Sequence, residues 1–463
     1  MKGNISFSLS FNFNCMKQKF NRREFISMAA AAGTGLAVAG PNFALGQESK
    51  KPAILGGSKA YTSGFSAWPL FDDREEKALV SVLKSGNWGR LNGPVVAEFE
   101  KAYAGLNGAG HCLGVSSGTA ALTTILGALG IGPGDEVVIP VYTFIATYNV
   151  VVLNYALPIL VDTDIETFQI DVKKAEAAVT AQTKAIMPVH IGGTPADIDA
   201  LIRLGEKAGI PIIEDACQAH LAEWKGKKVG NFGLAGAFSF QSSKNLNCAE
   251  GGAILTNDAD FARACYTFHN QGQGGTGTSY GTGSGTRATN LRLTEFQGNL
   301  LLAQMTRLQQ QVETRTENAK YLTELLADIP GIEPAKWYPG TTRSAYHLYM
   351  FRYLKEHFHG LSRGKFVEAL NAEGIPCDPG YGQMNRDAYV TGLASNPHYL
   401  RIYGEKTMKE WLDRNQCPQN DTLTREQSLW FFQTMLLGTR ENMEQIAEAI
   451  RKIQKYAKQI AKA

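Results

Sequence analysis

The chain has 463 residues, 44% hydrophobic and 19% charged, with a formal net charge of +3. This balance supplies a full core and excludes a disordered polyelectrolyte. No basic stripe accompanies the small positive charge, which excludes nucleic acid as a natural partner, and the length allows one large or two modest domains.

The first segment in chain order is a targeting pattern. "NRREFISMAAAAGTGLAVAGPNFALGQ" carries the paired arginines Arg22 and Arg23, a modest apolar stretch, and a small-x-small site at Ala44-Leu45-Gly46. That order reads as a twin-arginine export signal over residues 1–46, with Met16 as an alternative start and an unstructured basic tail as the plainer reading. The stretch is too short and too weakly apolar to span a membrane. The expected location is periplasmic, or cytoplasmic if the signal is not functional, with no membrane association after cleavage. Beyond Cys15, six cysteines (Cys112, Cys217, Cys248, Cys265, Cys377, Cys417) are widely spaced without a C-x-x-C. They predict isolated buried thiols, although an exported chain leaves pairing open. His357 and His359 flank Phe358 with no further ligands, and no metal site is predicted.

From about residue 72 helix and strand patterns alternate. "DDREEKALVSVLKSG" reads as a helix with an acidic first turn and a glycine stop, and "PVVAEFEKAYAGLNG" as another. Seven strand candidates follow: "HCLGVSS", "DEVVIPV", "LPILVDTD", "TKAIMPVHI", "IPIIEDAC", "LAGAFSF" and "GGAILTND". Helix-sized segments separate the first five, as parallel crossovers require. The last two are joined by a connection too short for a helical crossover, which predicts that one of them runs antiparallel. "NQGQGGTGTSYGTGSGTRATN" follows a helix and opens none on its glycines, so it is a loop and not a dinucleotide fingerprint. "LTEFQGNLLLAQMTRLQQQVETRTENAKYLTELLADI" reads as one long helix. The remainder, with the strand "SAYHLYMFRYL" and helices "SRGKFVEALNAEG" and "RENMEQIAEAIRKIQKYAKQ", reads as a smaller domain. The expected organisation is a signal over 1–46, a large α/β domain over 47–328, and an α+β C-terminal domain over 329–463.

Ligands of open parallel sheets sit at the C-terminal strand ends. The first strand ends at Ser117, Gly118 and Thr119, an N-cap with free N–H groups suited to phosphate or to a plain helix cap. The second ends at Phe144, whose ring can stack on a flat ligand or pack in the core. The fifth ends at Asp215, a carboxylate leaving an apolar run and therefore in need of a cation. Ser239 and Lys244 follow the sixth. A lone lysine between two buried strands is either a solvated loop residue or a Schiff-base amine. Together these are the parts pyridoxal 5'-phosphate needs: an amine for its aldehyde, an aspartate for its ring nitrogen, a phosphate cradle and an aromatic plate. The freed lysine amine then serves as general base and acid.

The stretches "SGNWGRLNGPVVAEFEKAYA", "VSSGTAALTTILGALGIGPGDEVVIPVYTFIAT", "EDACQAHLAEWKGKKVGNFG", "FSFQSSKNLNCAEGGAILTND" and "TNLRLTEFQGNLLLAQ" resemble the DegT/DnrJ/EryC1/StrS aminotransferases, which act on keto-sugars and keto-cyclitols. The resemblance runs from about Pro52 to the C-terminus. It implies the aspartate-aminotransferase fold (pyridoxal-phosphate fold type I), with a seven-stranded, mostly parallel large-domain sheet. It implies Lys244 as the internal-aldimine lysine and Asp215 as the ring-nitrogen partner. Gln218 falls near the ring hydroxyl or face, Phe144 matches the stacking aromatic, and Gly118, Thr119 and Ser239 match phosphate contacts. Asn290 matches an asparagine that reaches the phosphate of a neighbouring subunit, which implies a homodimer with shared active sites. His190, His220 and His347 are read as core histidines or contacts to bound molecules, and Trp88 and Tyr381 as pocket-lining residues.

The expected reaction passes the amino group of glutamate or glutamine to a keto-sugar or keto-cyclitol. Two alternatives stand beside it. One is a sugar dehydratase of the same family, in which histidine replaces the lysine, against which Lys244 speaks. The other is an exported, non-catalytic binding or sensory protein that keeps the fold.

Overall fold

The computed structural model describes residues 51–274 and 287–463. The twin-arginine segment, and residues 275–286 of the glycine-rich loop, lie outside the described residues.

All seven strand candidates form strands of one sheet region. They are β1 (His111–Val115), β2 (Glu136–Pro140), β3 (Leu157–Val161), β4 (Thr183–Ile186) and β5 (Ile213–Asp215), then, after a short hairpin of β6 (Glu223–Trp224) and β7 (Lys227–Lys228), β8 (Ala235–Ser239) and β9 (Gly252–Thr256). Two ladders run β1-β9-β8-β5 and β3-β2-β4. Parallel bridges Ile186–Ile212 and Val189–Asp215 link them along the β4–β5 seam. The pairs β5–β8, β2–β3 and β2–β4 are parallel, while β9 is antiparallel to both β1 and β8. The β8–β9 connection folds back on itself, Phe240 N–H donating to the Gly251 carbonyl (2.7 Å) and Ser242 N–H to that of Ala249 (2.9 Å). A fold-back this tight reverses the chain, which is why β9 opposes its neighbours.

β2, β3, β8 and β9 are buried throughout, as expected of a sheet covered on both faces. Helices Gly118–Ala128, Ala146–Leu153, Ile198–Ala208 and Ala259–His269 supply the cover, around Leu126, Val138, Ile159, Ile213 and Ala237. The helix Asp73–Ser85 begins on a capping box of Asp72 and Glu75 and ends at Gly86, with φ +70°, so its sequence signals act as read.

β3 is the edge of its ladder. The aromatic-rich segment after residue 377 covers it: Leu160 N–H donates to Asn415 Oδ1 (2.7 Å), Trp411 Nε1 to the Pro158 carbonyl (2.8 Å), and Tyr399 Oη to that of Ala156 (3.0 Å). These bonds occupy backbone groups that an open edge offers to other chains.

The long helix Glu295–Leu326 is continuous. After it come β10 (Ile332–Pro334), β11 (Thr341–Arg343), β12 (Leu348–Tyr353) and β13 (Ser428–Phe432). β10, β12 and β13 make an antiparallel sheet, and β11 joins the β6–β7 hairpin. Helices Arg363–Ala372 and Arg440–Ile460 pack against β12 and β13 around Phe351, Phe366, Phe431 and Ile450. The N-terminal arm is fixed here. The buried Glu373 carboxylate accepts from Ala53 N–H (2.8 Å), Ala60 N–H (2.7 Å) and Lys452 Nζ (2.7 Å). The six cysteines among the described residues are free thiols, four buried and two half-buried.

Candidate active site

A cleft of about 650 Å³ opens where β1, β2, β5 and β8 end. Ser117, Gly118, Thr119, Phe144, Asp215, Gln218, Ser239 and Lys244 all line it, with His347 and Tyr381. Trp88, expected to line the pocket, lies elsewhere, and Asn290, expected to reach a neighbouring subunit, lies outside this chain's own cleft. Asn290 is exposed and outside the cleft, its Oδ1 accepting from Arg292 N–H (3.3 Å). Trp88 is also outside, its indole N–H donating to the Leu83 carbonyl (3.2 Å) and its ring near Phe296. Each is held by local contacts on a different part of the chain surface.

At one end, Ser117 caps helix Gly118–Ala128, its Oγ accepting from Ala120 N–H (3.0 Å). The N–H groups of Gly118 and Thr119 have no acceptor among the described residues and stand at the positive end of the helix dipole. A Cβ on Gly118 would come within 2.7 Å of Ser239 Cβ and 2.8 Å of Cys217 Sγ, so glycine is required for β8 to approach this turn. Ser239 is itself propped from behind. The buried His220 bonds its carbonyl through Nε2 (2.8 Å) and Tyr103 Oη through Nδ1 (3.0 Å). A carbonyl only accepts, so Nε2 carries the proton and Nδ1 accepts from the phenol. Burial lowers the His220 pKa to about 4, and the ring is a neutral strut.

At the other end stands Asp215, 5% exposed. Thr147 Oγ1 donates to its Oδ2 (2.9 Å) and Cys217 N–H to its Oδ1 (3.2 Å). Neither partner is charged, so this buried carboxylate has room for a cation in the cleft. The adjacent Glu214 points away, accepting from Gly230, Phe232 and Gly233 N–H (2.7, 2.7 and 2.9 Å) and pairing with His190 Nε2 (3.0 Å). His190 is therefore a core residue.

Between the ends, Phe144 exposes 56% of its surface at the cleft, the position of a plate rather than a core ring. Gln218 is fixed at both ends of its amide: Oε1 accepts from Gly192 N–H (2.8 Å) and Nε2 donates to Tyr381 Oη (2.8 Å). The Tyr381 oxygen thus has a donor behind it and its own proton free for the cleft.

Lys244 enters from the β8–β9 fold-back. Its side chain has no hydrogen-bond or ion-pair partner among the described residues. Burial lowers its pKa, with Cys217 and Asp215 opposing the shift. An amine so placed is more readily neutral, and therefore nucleophilic, than a surface lysine. His347 lies close by, bonded through Nδ1 to Asn245 Oδ1 (3.2 Å); burial and the Lys244 charge hold it well below its ordinary pKa, neutral at pH 7.

Free helix N–H groups, a glycine-enforced hollow, an exposed ring, an uncompensated carboxylate and a partnerless amine are the donor set pyridoxal 5'-phosphate requires. A family model described as the DegT/DnrJ/EryC1/StrS aminotransferase family matches residues 69–407. The chain belongs to this family. It is a pyridoxal-phosphate-dependent aminotransferase of fold type I. It is 32% identical over 391 residues to the 3-amino-5-hydroxybenzoate synthase of Amycolatopsis mediterranei (strain S699), covering 83% of this chain and 96% of that protein. It is 36% identical over 414 residues to an L-glutamine:2-deoxy-scyllo-inosose aminotransferase of Streptoalloteichus tenebrarius, covering 87% and 97%. The crystal structure of 3-amino-5-hydroxybenzoic acid synthase superposes with a TM-score of 0.74 at 32% identity, over 87% of this chain and all (100%) of that one. The aminotransferase from Psychrobacter cryohalolentis gives 0.73 at 28% identity, over 86% and 99%.

Sequence reasoning missed Thr147, Trp68, Trp430 and Gln433, which line the same cleft. Thr147 comes three residues after Phe144, in the first turn of helix Ala146–Leu153, and was legible as its neighbour in sequence. The other three come from the N-terminal arm and the end of β13, and no local signal marks them.

Proposed function

We propose that this aminotransferase carries the amino group of glutamine or glutamate to a keto-cyclitol or related keto-sugar. The observation that carries this reading is the presence, in one cleft, of the Lys244 amine and of a buried Asp215 with no ion-pair partner among the described residues. The relatives named above support glutamine as donor and a cyclitol as acceptor. Among the described residues lining the cleft, Lys244 is the sole lysine or arginine.

When bound, the cofactor supplies an electron sink for the carbon that gains or loses the amino group. The chain's own residues do the rest. Asp215, oriented by Thr147 and the Cys217 N–H, holds negative charge at the ring-nitrogen end. Gly118, Thr119, Ser117 and Ser239 would hold the phosphate, and Phe144 would offer its exposed ring as a plate. Gln218, held by Gly192 and bonded to Tyr381, would stand near the ring hydroxyl or face. The Lys244 amine, once free, would take the proton from the donor carbon and deliver it to the cofactor carbon on the other side of the C–N bond, acting first as base and then as acid. Asn290 and Trp88, exposed in a single chain, serve a homodimer in which each copy completes the other's site. Residues 1–46 we read as a twin-arginine signal that exports the folded protein to the periplasm.

The test is purified, cofactor-loaded protein mixed with L-glutamine and a keto-cyclitol, with the aminocyclitol measured by mass spectrometry. Product in the native chain and none with Lys244→Ala is the expected result. Cofactor retention with no spectral response to any amino donor would replace this reading with that of a binding protein.

A further inference from the structure

Arg315, on helix Glu295–Leu326, is 0% exposed. A buried guanidinium ordinarily meets a carboxylate. This one does not. Its Nη2 donates to Oε1 of Gln433, and its Nε and Nη1 are buried without a partner. Its Cζ stands 5.3 Å from the centre of the Trp68 ring, a cation–π contact. Burial lowers its pKa to about 9, which leaves it charged at neutral pH. Both groups it touches, Trp68 and Gln433, line the active-site cleft. An uncompensated positive charge therefore sits directly behind that wall.

The charge has a chemical consequence for Gln433. A guanidinium only donates, so Gln433 must turn its oxygen toward Arg315. Its amide nitrogen then has no partner among the described residues and is not among the buried unpartnered atoms. That nitrogen is the group Gln433 offers the cleft. An amide whose oxygen accepts from a cation is polarised, and its N–H groups become better donors.

An amino-acid donor brings a carboxylate on the carbon next to the reaction, whereas a cyclitol brings none. Lys244, the one cation lining the cleft among the described residues, is committed to the reacting end. We propose that Gln433 binds the carboxylate of the amino-acid donor, with Arg315 as the positioning residue that orients and polarises it and Trp68 as the adjoining wall. This assignment rests on the aminotransferase reading above.

Gln433→Glu tests it without disrupting the fold, because glutamate keeps an oxygen for Arg315. The variant replaces the cleft-facing donor by an acceptor and cancels the charge behind it. Two half-reactions of the holoenzyme are followed by the cofactor spectrum: L-glutamine acting on the pyridoxal form, and a keto-cyclitol acting on protein loaded with pyridoxamine 5'-phosphate. The glutamine concentration for half-maximal rate rises about tenfold or more, as expected for loss of a charge-assisted contact. The keto-cyclitol half-reaction changes less than about twofold. With 4-aminobutanamide, which is glutamine without its carboxylate, native and variant protein behave alike. An unchanged glutamine dependence in the variant, or an equal loss in both half-reactions, overturns the assignment of Gln433. A native holoenzyme that accepts no amino donor overturns the aminotransferase reading, and this assignment with it.

Discussion

Thr147 Oγ1 donates to Asp215 Oδ2 at 2.9 Å, and is itself bonded to Thr143 Oγ1 at 2.9 Å. A helix that follows β2 thus orients a carboxylate that ends β5, across the seam where the two ladders of the sheet meet. Thr147→Val keeps the shape and removes the hydroxyl. A lost hydrogen bond to a charged group costs about 1.5–3 kcal/mol, so turnover falls roughly 10- to 100-fold by that energy if it is realised in the reaction barrier. Steady-state rates and the melting temperature check it: the rate falls while the cofactor-free protein melts within a few degrees of the native chain.

The Lys244 amine is desolvated, and its folded pKa lies below its usual 10.5. In the cofactor-free protein the unfolded state binds more protons between those two values, so stability attributable to this group rises with pH across that window. Below the folded value the full cost of holding the charged amine applies. Lys244→Met therefore stabilises cofactor-free protein near neutral pH, and the advantage shrinks as pH approaches 10.5. Denaturant titrations of both proteins at several pH values measure this; a constant difference at all pH values would show that desolvation of the amine is not its source.

Burial raises the Glu214 pKa, but the His190 pair and the N–H groups of Gly233 and Gly230 outweigh it, and the net shift is downward. The sign follows directly: its stabilisation is present above the unfolded value of 4.5 and is lost as pH falls through the lower folded value. Glu214→Gln weakens three backbone contacts and the histidine pair, costing about 2–4 kcal/mol. Urea unfolding at pH 7 detects the loss, and the gap between native and variant narrows in acid.

Gly118→Ala drives a methyl group against Ser239 and Cys217. Overpacking of this kind costs about 1–3 kcal/mol, and here it displaces the hydroxyl at the phosphate end of the cleft. Affinity for pyridoxal phosphate drops roughly tenfold or more by that energy, measured by titrating cofactor into cofactor-free protein. Native affinity in this variant would place the phosphate elsewhere.

Glu373 ties the N-terminal arm to Lys452, and the arm leads on to Trp68. Glu373→Gln leaves the buried Lys452 ammonium without its counter-charge, a loss of about 3–5 kcal/mol for a broken buried pair. Limited proteolysis followed by N-terminal sequencing finds new cuts between residues 52 and 68, and the cleft loses the Trp68 wall along with them.

Residue order alone made the large-sheet strands legible, because apolar runs with helix-length spacing leave a parallel sheet as the physical solution. The same runs located Ser117, Phe144, Asp215, Ser239 and Lys244, since strand ends in such a sheet gather at one edge. The antiparallel β9 was legible for a related reason, a connection too short to cross over. The sequence put Trp88 in the pocket, where the fold of one chain does not bring it, and it left Arg315 and Gln433 unmarked. The order of strands across the sheet, the covering of the β3 edge by Asn415 and Trp411, and the meeting of Trp68, Arg315 and Gln433 were decided by tertiary structure alone. Local patterning acts over a few residues and sets element type and facing. Contacts between residues hundreds of positions apart depend on which faces the whole chain can bury together, and no short stretch encodes that choice.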